Sequence, residues 1–465
     1  MISFSTIDII VILLFFTILI SIGFYTSRKT TSASEDYLLS GRNLSLLLFV
    51  LTTVSTWYGG IIGVGEFTYR YGLLSWFTQG LPYYFFAFLF AIFFAKKIRN
   101  ASLFTIPDKI EIEYGKTAGI ISSIIVFILV TPAPYLLMTA NLLVLSFDID
   151  LIPALFITLF LSISYLIKGG FRSNVYADAF QFFVMFGGFI LIFVICLINY
   201  GGLDFISSKV PETHLKITGG ASPGFILIWF LIAMWTFADP GFHQRSYAAK
   251  SGSIAVKGIL ISIGFWLLFD FLTTTTGLYS KALLPNLDQP VWAFPLLAEK
   301  VLTPGFKGIF YAALFATILS TLNSFFFLSA TTISRDLIYK IRKEKNDHKL
   351  KKYTVLGLLI SGLLSSLLAY FIPSVVEIWY TIGSLFIPGI ILPVISAYFP
   401  ELKIKNRFII AEICLAVGAS FSWYVIRMNI QADSDFQVIE PMLVGVIAAI
   451  LVHGAGLLIN KRENN

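Results

Sequence analysis

The chain has 465 residues, of which 57% are Ala, Val, Ile, Leu, Met, Phe, Trp, Tyr or Cys and only 13% are charged. Soluble domains carry about 25% charged residues, so this composition excludes an ordinary soluble globular protein. Repeated apolar runs, such as residues 9–24 and 154–167, place most of the chain in lipid, and they do not alternate with polar residues as barrel strands do. The sequence therefore predicts an all-α polytopic membrane protein.

The apolar runs, and the polar residues between them, predict about 13 transmembrane helices. In chain order these cover residues 6–27, 46–68, 74–95, 117–140, 151–167, 174–200, 223–241, 254–279, 307–333, 354–372, 376–398, 408–426 and 440–459. If the N-terminus faces outward, 26 of the 33 Lys and Arg residues lie in loops on the opposite side. Cytoplasmic loops are rich in basic residues, so this bias predicts an external N-terminus and a cytoplasmic C-terminus in the cell membrane.

The net charge of +7 is explained by this topology and requires no nucleic-acid partner. The densest basic cluster, residues 335–352, is interpreted as contact with lipid headgroups, with a regulatory role as the alternative. The longest stretches outside the helices, residues 201–222, 280–305 and 335–353, are too short for a core of their own. The protein therefore acts within the bilayer, which favours transport over an intramembrane enzyme or a channel. A monomer is compatible with the sequence, which does not fix the oligomeric state.

Two of the predicted helices are interrupted. The second contains small polar residues followed by glycines and then Glu66, and the seventh contains Asp239, Pro240 and Gly241 in succession. Broken helices line binding sites in transporters, although close helix packing through small residues is the alternative. The two breaks lie five helices apart, so the two helices cross in opposite senses, as in a five-plus-five inverted repeat.

The ninth predicted helix carries hydroxyl groups on one face. Thr317, Ser320, Thr321 and Ser324 are spaced at i, i+3, i+4 and i+7, and Asn323 lies on an overlapping face. Oxygen atoms gathered in this way favour a hard cation or a polar cavity over helix packing.

Two acidic residues lie at membrane depth. Asp178 is either a functional carboxylate or an interfacial partner of Arg172. Asp270 has apolar sequence on both sides and is interpreted as a residue of the cavity.

Several motifs resemble those of the sodium/solute symporter family, which includes the sodium/glucose, sodium/proline and sodium/sialic acid symporters. They are Glu35-Asp36-Tyr37 with Gly41-Arg42, Gly169-Gly170 leading to Asp178 and Gln181, and Asp239 with Gln244-Arg245 and Ala248-Ala249-Lys250. The resemblance implies a LeuT-like fold, in which 46–200 and 223–398 are the two five-helix repeats. Residues 1–27 are then an extra N-terminal helix, and 408–465 hold two C-terminal helices and a cytoplasmic tail.

The resemblance also implies where sodium binds. One ion would lie between the second and ninth helices, at the backbone carbonyls of Thr53, Thr56 and Thr317 and the hydroxyls of Ser320 and Thr321. Some members of the family bind a further sodium, and the matching positions here are Asp178, Ser320, Asn323 and Ser324. No organic cofactor is implied.

The implied solute site departs from that of the sugar transporters, whose polar contacts are replaced here by Ser55, Gly60, Gln79 and Tyr380. Trp235 occupies the position of their inner-gate tyrosine. The fourth helix has Tyr135 and no basic residue to pair with an organic anion, as the sialic acid transporters have. The remaining predicted solute and gate residues are Trp57, Tyr58 and Asp239.

The sequence thus predicts a sodium-coupled symporter that imports a small neutral or zwitterionic solute by alternating access. A channel-like protein or a solute sensor that does not transport is the alternative. An intramembrane enzyme is less favoured, because the four histidines form no HExxH motif and neither a GxSxG motif nor a P-loop occurs.

Overall fold

The computed structural model describes residues 2–31, 33–344, 346–372, 374–430 and 439–464, and these parts are helical with no strand. The apolar helices are α1 Thr6–Ser27, α2 Leu46–Trp57, α3 Ile61–Tyr71, α4 Leu74–Ala101, α5 Lys116–Phe147, α6 Leu151–Ile163, α7 Leu166–Tyr200, α8 Pro223–Ala248, α9 Gly252–Leu283, α10 Phe306–Tyr339, α11 Lys349–Phe371, α12 Glu377–Gly389, α13 Ile391–Tyr398, α14 Asn406–Met428 and α15 Pro441–Lys461. Shorter helices in the connections are Ser34–Leu39, Ile106–Tyr114, Leu203–Lys209 and Ala293–Val301.

The predicted all-α membrane class is confirmed. Within the described ranges, ten helices are long and apolar enough to cross a membrane, and two bent pairs, α2 with α3 and α12 with α13, raise the number to as many as twelve. The remaining predicted span corresponds to α6, which has 13 residues where a crossing needs about 20. The number 13 is therefore not confirmed.

Helix α10 lies at the centre of the bundle. Its most apolar part is 89% buried, more than that of any other described span, and it packs against α1, α2, α7 and α11. Small residues allow this packing, because a Cβ added to Gly188 of α7 would lie 2.3 Å from the Cβ of Ala313. The hydroxyl-bearing face of α10 is therefore held inside the protein.

Asp8 fixes α1 against the start of α10. The Ser5 hydroxyl accepts a hydrogen bond from the Asp8 N–H (3.3 Å), and the Ser5 N–H donates to Asp8 Oδ2 (3.0 Å), which together form a capping box. Asp8 Oδ1 accepts from the N–H groups of Gly305 (2.8 Å) and Gly308 (2.7 Å) at the first turn of α10. A carboxylate near a helix N-terminus is favourable, so this acidic residue in an apolar helix has a structural role.

A kink near the start of α7 depends on Gly170. Its φ is +54°, and an added Cβ would lie 2.4 Å from the carbonyl oxygen of Tyr37, so only glycine fits without strain. The kink leaves backbone carbonyls without partners in their own helix. Donors from other segments satisfy them: the Tyr37 hydroxyl donates to Ile167 O (3.2 Å), Lys351 to Lys168 O (3.2 Å) and Thr30 to Gly169 O (3.1 Å).

Candidate sodium and solute site

The break predicted in the second helix is the bend of 56° between α2 and α3. Helix α2 ends at Trp57, so no N–H groups of a following turn donate hydrogen bonds to the carbonyls of its last turn. Hydroxyls of α10 take that role: Ser320 donates to Ser55 O (2.8 Å) and Thr321 to Thr56 O (2.6 Å). The broken helix and the hydroxyl face of α10 are thus in direct contact.

Gly59 permits this contact. A Cβ at that position would lie 2.4 Å from both Cβ and Oγ1 of Thr321, and a side chain there would push α10 away from the break. The neighbouring Gly60 is similarly confined, because its Cβ would lie 2.6 Å from the Trp379 ring. The glycines that weaken the helix in the sequence are therefore also required by the close approach of its neighbours.

The structure brings most of the predicted sodium ligands together. Thr317 O accepts a second contact from the Ser320 hydroxyl (3.0 Å), whereas the Thr317 hydroxyl donates to Ala313 O (2.7 Å) of its own helix. The Ser55 carbonyl joins the group, although Ser55 was predicted as a solute residue and its hydroxyl donates to Leu51 O (2.9 Å). Thr53 is buried, and its hydroxyl has no hydrogen-bond partner within the described residues.

We call this group the α2–α10 oxygen cluster: the carbonyls of Ser55, Thr56 and Thr317 and the hydroxyls of Ser320 and Thr321. All five groups are neutral oxygen donors, the ligand type that hard cations take from proteins. The donor set therefore fits a sodium ion.

The residues predicted for a second sodium are arranged differently. Asp178 Oδ2 accepts hydrogen bonds from the Thr52 hydroxyl (2.5 Å) and the Asn174 amide (3.1 Å), and it lies 3.4 Å from the guanidinium of Arg245. Arg245 also donates to the Ser324 hydroxyl (3.0 Å). We call Asp178, Arg245, Thr52, Asn174 and Ser324 the Asp178–Arg245 cluster.

Arg245 is the residue that the sequence analysis missed as a member of this cluster. It is only 2% exposed, and it also donates to the hydroxyl of Thr56 (2.6 Å). The other two predicted ligands point elsewhere: Ser320 faces Ser55, and Asn323 donates to the Tyr165 hydroxyl. The sequence did offer one signal for this role of Arg245. It is a basic residue six positions after Asp239, in a segment predicted to end a transmembrane helix.

The break predicted in the seventh helix lies within α8. Its first part ends at Ile232, and Asp239 has an extended backbone conformation before the helix resumes at Pro240. Asp239 Oδ1 accepts hydrogen bonds from the N–H groups of Gly241 (2.6 Å) and Phe242 (3.1 Å), so its carboxylate caps the second part. Trp235 lies in the 3₁₀ segment Ala233–Ala238 between the two parts, where it is partly buried against the hydrophobic core.

Aromatic residues surround the two breaks. The Trp57 ring lies 4.9 Å from Tyr83, 5.5 Å from Phe242 and 5.2 Å from Trp266. The Tyr58 hydroxyl donates to Trp266 O (2.8 Å). None of these contacts involves a cationic side chain.

Three further predicted solute residues have separate surroundings. Tyr135 packs against Phe325 (4.9 Å) and against Trp379 (5.8 Å), the residue that also confines Gly60. Gln79 is partly buried at the end of the first turns of α4. The Tyr380 hydroxyl lies between Glu440 and Arg427, in a group formed by α12, α14 and the segment before α15.

A helical bundle with interrupted helices, and with neutral oxygens gathered at one interruption, defines a class of cation-dependent membrane transporters. The chain belongs to one family within that class: the model of the sodium:solute symporter family matches residues 37–399. This family consists of transporters and not of enzymes.

Relatives and solved structures agree with this assignment. Sodium/proline symporter 2 of Staphylococcus saprophyticus is 24% identical over 355 residues, which cover 72% of this chain and 69% of the relative. A sodium/proline symporter of Staphylococcus aureus (strain JH9) is 24% identical over 369 residues, 75% of this chain and 72% of the relative.

A Na⁺-coupled sialic acid symporter in a substrate-bound outward-open state has a TM-score of 0.80, with 17% identity and 98% of both chains covered. Mhp1, a nucleobase-cation-symport-1 family transporter in a closed conformation, has a TM-score of 0.60, with 11% identity, 91% of this chain and 94% of that chain covered. These likenesses show the LeuT-like fold. Family and relatives together support sodium-coupled symport in a multi-pass membrane protein.

Proposed function

We propose that this protein imports a small neutral or zwitterionic solute together with sodium, and that the sodium ion binds at the α2–α10 oxygen cluster. The observation that carries the proposal is the contact of Ser320 and Thr321 with the carbonyls that the end of α2 leaves free. Three carbonyls and two hydroxyls converge there without any carboxylate. An ion held between α2 and α10 joins the broken helix to the central helix, so its arrival and departure are coupled to their relative position.

The Asp178–Arg245 cluster does not need sodium to balance its charge. The guanidinium of Arg245 already faces Asp178, and two hydroxyls and an amide complete the hydrogen bonding around the pair. We therefore assign the sodium ion to the α2–α10 oxygen cluster in preference to the Asp178–Arg245 cluster.

The proposed solute site lies beside the two breaks, among the aromatic residues around Trp57 and Tyr135. These rings contact other rings, and no basic side chain is among those contacts. A solute with a net negative charge would have no countercharge there, which favours a neutral or zwitterionic compound. The sodium/proline symporters carry a zwitterionic solute, which is consistent with this chemistry.

The proposed repeats are residues 46–200 and 223–398, and the proposed orientation has the N-terminus outside. In this orientation the cytoplasmic side is held closed by Arg42, which donates to Leu103 O (2.9 Å), Ser102 O (3.0 Å) and Tyr247 O (3.3 Å). A backbone bridge between Leu44 and Ala249 joins the same region. Opening toward the cytoplasm would require these contacts to break. Sodium entry is driven by the membrane potential at about 2.3 kcal/mol per charge per 100 mV.

Uptake into proteoliposomes tests this proposal. The double variant Ser320→Ala/Thr321→Ala removes both hydroxyls of the cluster, and we expect the sodium concentration for half-maximal uptake to rise at least about tenfold, given about 1 kcal/mol or more per lost charge-assisted contact. Thr331→Ala is the matched control, because its buried hydroxyl donates to Phe327 O (2.7 Å) of the same helix. Sodium dependence that survives the double change unaltered would refute the assignment. Electrogenic, saturable uptake distinguishes symport from conduction or sensing.

A further inference from the structure

A cavity of about 550 Å³ opens where α1 ends and where α7 and α11 begin. It is lined by Phe24, Ser27, Arg28, Lys168 and Lys351. Three of these five residues are cationic and none is acidic. The cavity lies at the C-terminal end of α1. Because the N-terminus is proposed above to be external, this end of α1 lies at the cytoplasmic boundary of the membrane.

The three cations are not neutralised by neighbouring carboxylates. Within the described ranges, none of the ion pairs includes Arg28, Lys168 or Lys351, whereas nearby Arg172 pairs with Asp36. Lys351 donates instead to the backbone carbonyl of Lys168 (3.2 Å). Like charges that share one cavity repel each other, so the arrangement favours an anion between them.

One wall of the cavity belongs to the lipid-facing surface. Phe24 is 38% exposed, and the adjacent Tyr25 is 63% exposed, at the last turn of α1. Aromatic side chains in this position mark the level where the hydrocarbon region meets the headgroups. The ammonium of Lys168 lies 5.9 Å from the centroid of the Phe24 ring, so a cation and an apolar surface adjoin within one site.

We propose that this cavity binds the headgroup of an anionic phospholipid, with Arg28, Lys168 and Lys351 around the phosphate and the acyl chains against Phe24. Basic pockets between helices at the cytoplasmic leaflet recognise such headgroups. A free phosphate ion would satisfy the three charges but would not use the exposed aromatic wall, so the lipid is the better match. The proposal rests on the orientation given above, and not on the sodium assignment.

The bound lipid would connect three helices around the kink of α7. The Lys168 carbonyl, exposed by the kink at Gly170, already receives the hydrogen bond from α11. A headgroup beside it would hold α1 and α11 against α7, the helix that carries Asp178. Anionic lipid is therefore expected to stabilise the folded protein as well as to bind.

Native mass spectrometry of the purified full-length protein tests the site. Phosphatidylglycerol and phosphatidylcholine are added in equal amounts to the wild type, to Arg28→Gln/Lys168→Gln/Lys351→Gln and to the control Lys116→Gln/Lys257→Gln/Arg407→Gln. The control removes the same charge from exposed residues on the same proposed side. With about fivefold affinity from each charge, we expect the first variant to bind phosphatidylglycerol at least about tenfold more weakly and the control to remain within about threefold of wild type.

Three results would overturn the proposal. The wild type could bind both lipids equally, which is informative even if a variant fails to fold. The control could lose as much affinity as the cavity variant, which would indicate general surface charge. Finally, glycerol phosphate or inorganic phosphate could raise the melting temperature as much as phosphatidylglycerol does, which would identify a soluble anion as the ligand.

Discussion

The α2–α10 oxygen cluster and the Asp178–Arg245 cluster both include residues of α2 and α10, yet they differ in the charges that they contain. In the first, carbonyls and hydroxyls meet without any formal charge. In the second, a carboxylate is matched by a guanidinium that is 2% exposed. Oxygen-rich residues at membrane depth therefore do not by themselves mark an ion site, because a side chain from another helix can supply the cation.

Breaking the buried pair gives the largest expected effect. Asp178→Asn removes the ion-pair partner of the Arg245 guanidinium, and we expect the free energy of unfolding to fall by about 3–5 kcal/mol, the cost of breaking a buried ion pair. The double variant Asp178→Asn/Arg245→Gln should recover at least about half of that loss. Unfolding in SDS titrations measures both values.

The control for this change is Asp148→Asn, at an exposed residue in the left-handed conformation that asparagine tolerates. It should alter stability by less than about 0.5 kcal/mol. Equal effects at Asp178 and Asp148 would show that Arg245 does not depend on Asp178.

Widening the contact between α2 and α10 should reduce stability by a smaller amount, and it should also reduce sodium affinity. Gly59→Ala places a Cβ 2.4 Å from Thr321 Cβ, and overpacking of this kind costs about 1–3 kcal/mol. Because the displaced residue belongs to the oxygen cluster, sodium affinity should fall together with the melting temperature.

Gly264→Ala in α9 is the matched control, since within the described residues its added Cβ would meet no atom of another helix within 4 Å. It should leave sodium affinity unchanged. A Gly59→Ala protein with normal sodium affinity would separate the close helix contact from ion binding, contrary to our account.

A second carboxylate–guanidinium pair, Asp36 with Arg172 near the start of α7, is a partly buried counterpart to Asp178 and Arg245. Burial would raise the pKa of Asp36, but the Thr31 N–H (2.6 Å) and the side chain of Arg172 outweigh it and hold the pKa below its usual range. A lowered pKa means that the stabilisation is present above the ordinary value near 4 and is lost as the pH falls through the lowered value.

We expect this stabilisation to be below about 1 kcal/mol, because both side chains are still reached by water, which screens the pair. Melting temperatures of wild type and Asp36→Asn should therefore differ at pH 6 and converge toward pH 3. A difference that grows on acidification would contradict the direction of this linkage.

The sequence indicated both helix breaks, since glycines at 59 and 60 and the Asp239-Pro240 pair carry local backbone signals. It also placed the hydroxyls of Ser320 and Thr321 on one face, because helical periodicity fixes which residues share a face. It could not show that Arg245 points at Asp178, since that depends on how α8 packs against α7 and α2. Nor could it show that Ser55 contributes its carbonyl, because local sequence does not reveal which backbone groups the break leaves free.

Other features were missed for related reasons. The bend of 41° between α12 and α13 was predicted as one continuous helix, although Pro388 and Gly389 lie at its position. The aromatic neighbours Tyr83, Trp266 and Trp379 come from three different helices and share no sequence pattern. Their assembly around the breaks is a property of the fold.

Binding of radioactive sodium to the purified protein tests the central claim most directly, without transport. We predict that Ser320→Ala/Thr321→Ala weakens binding at least about tenfold, whereas Ser324→Ala, which removes a hydroxyl of the Asp178–Arg245 cluster, stays within about threefold of wild type. The reverse pattern, with sodium lost in Ser324→Ala and retained in the double variant, would contradict the assignment of the ion to the α2–α10 oxygen cluster.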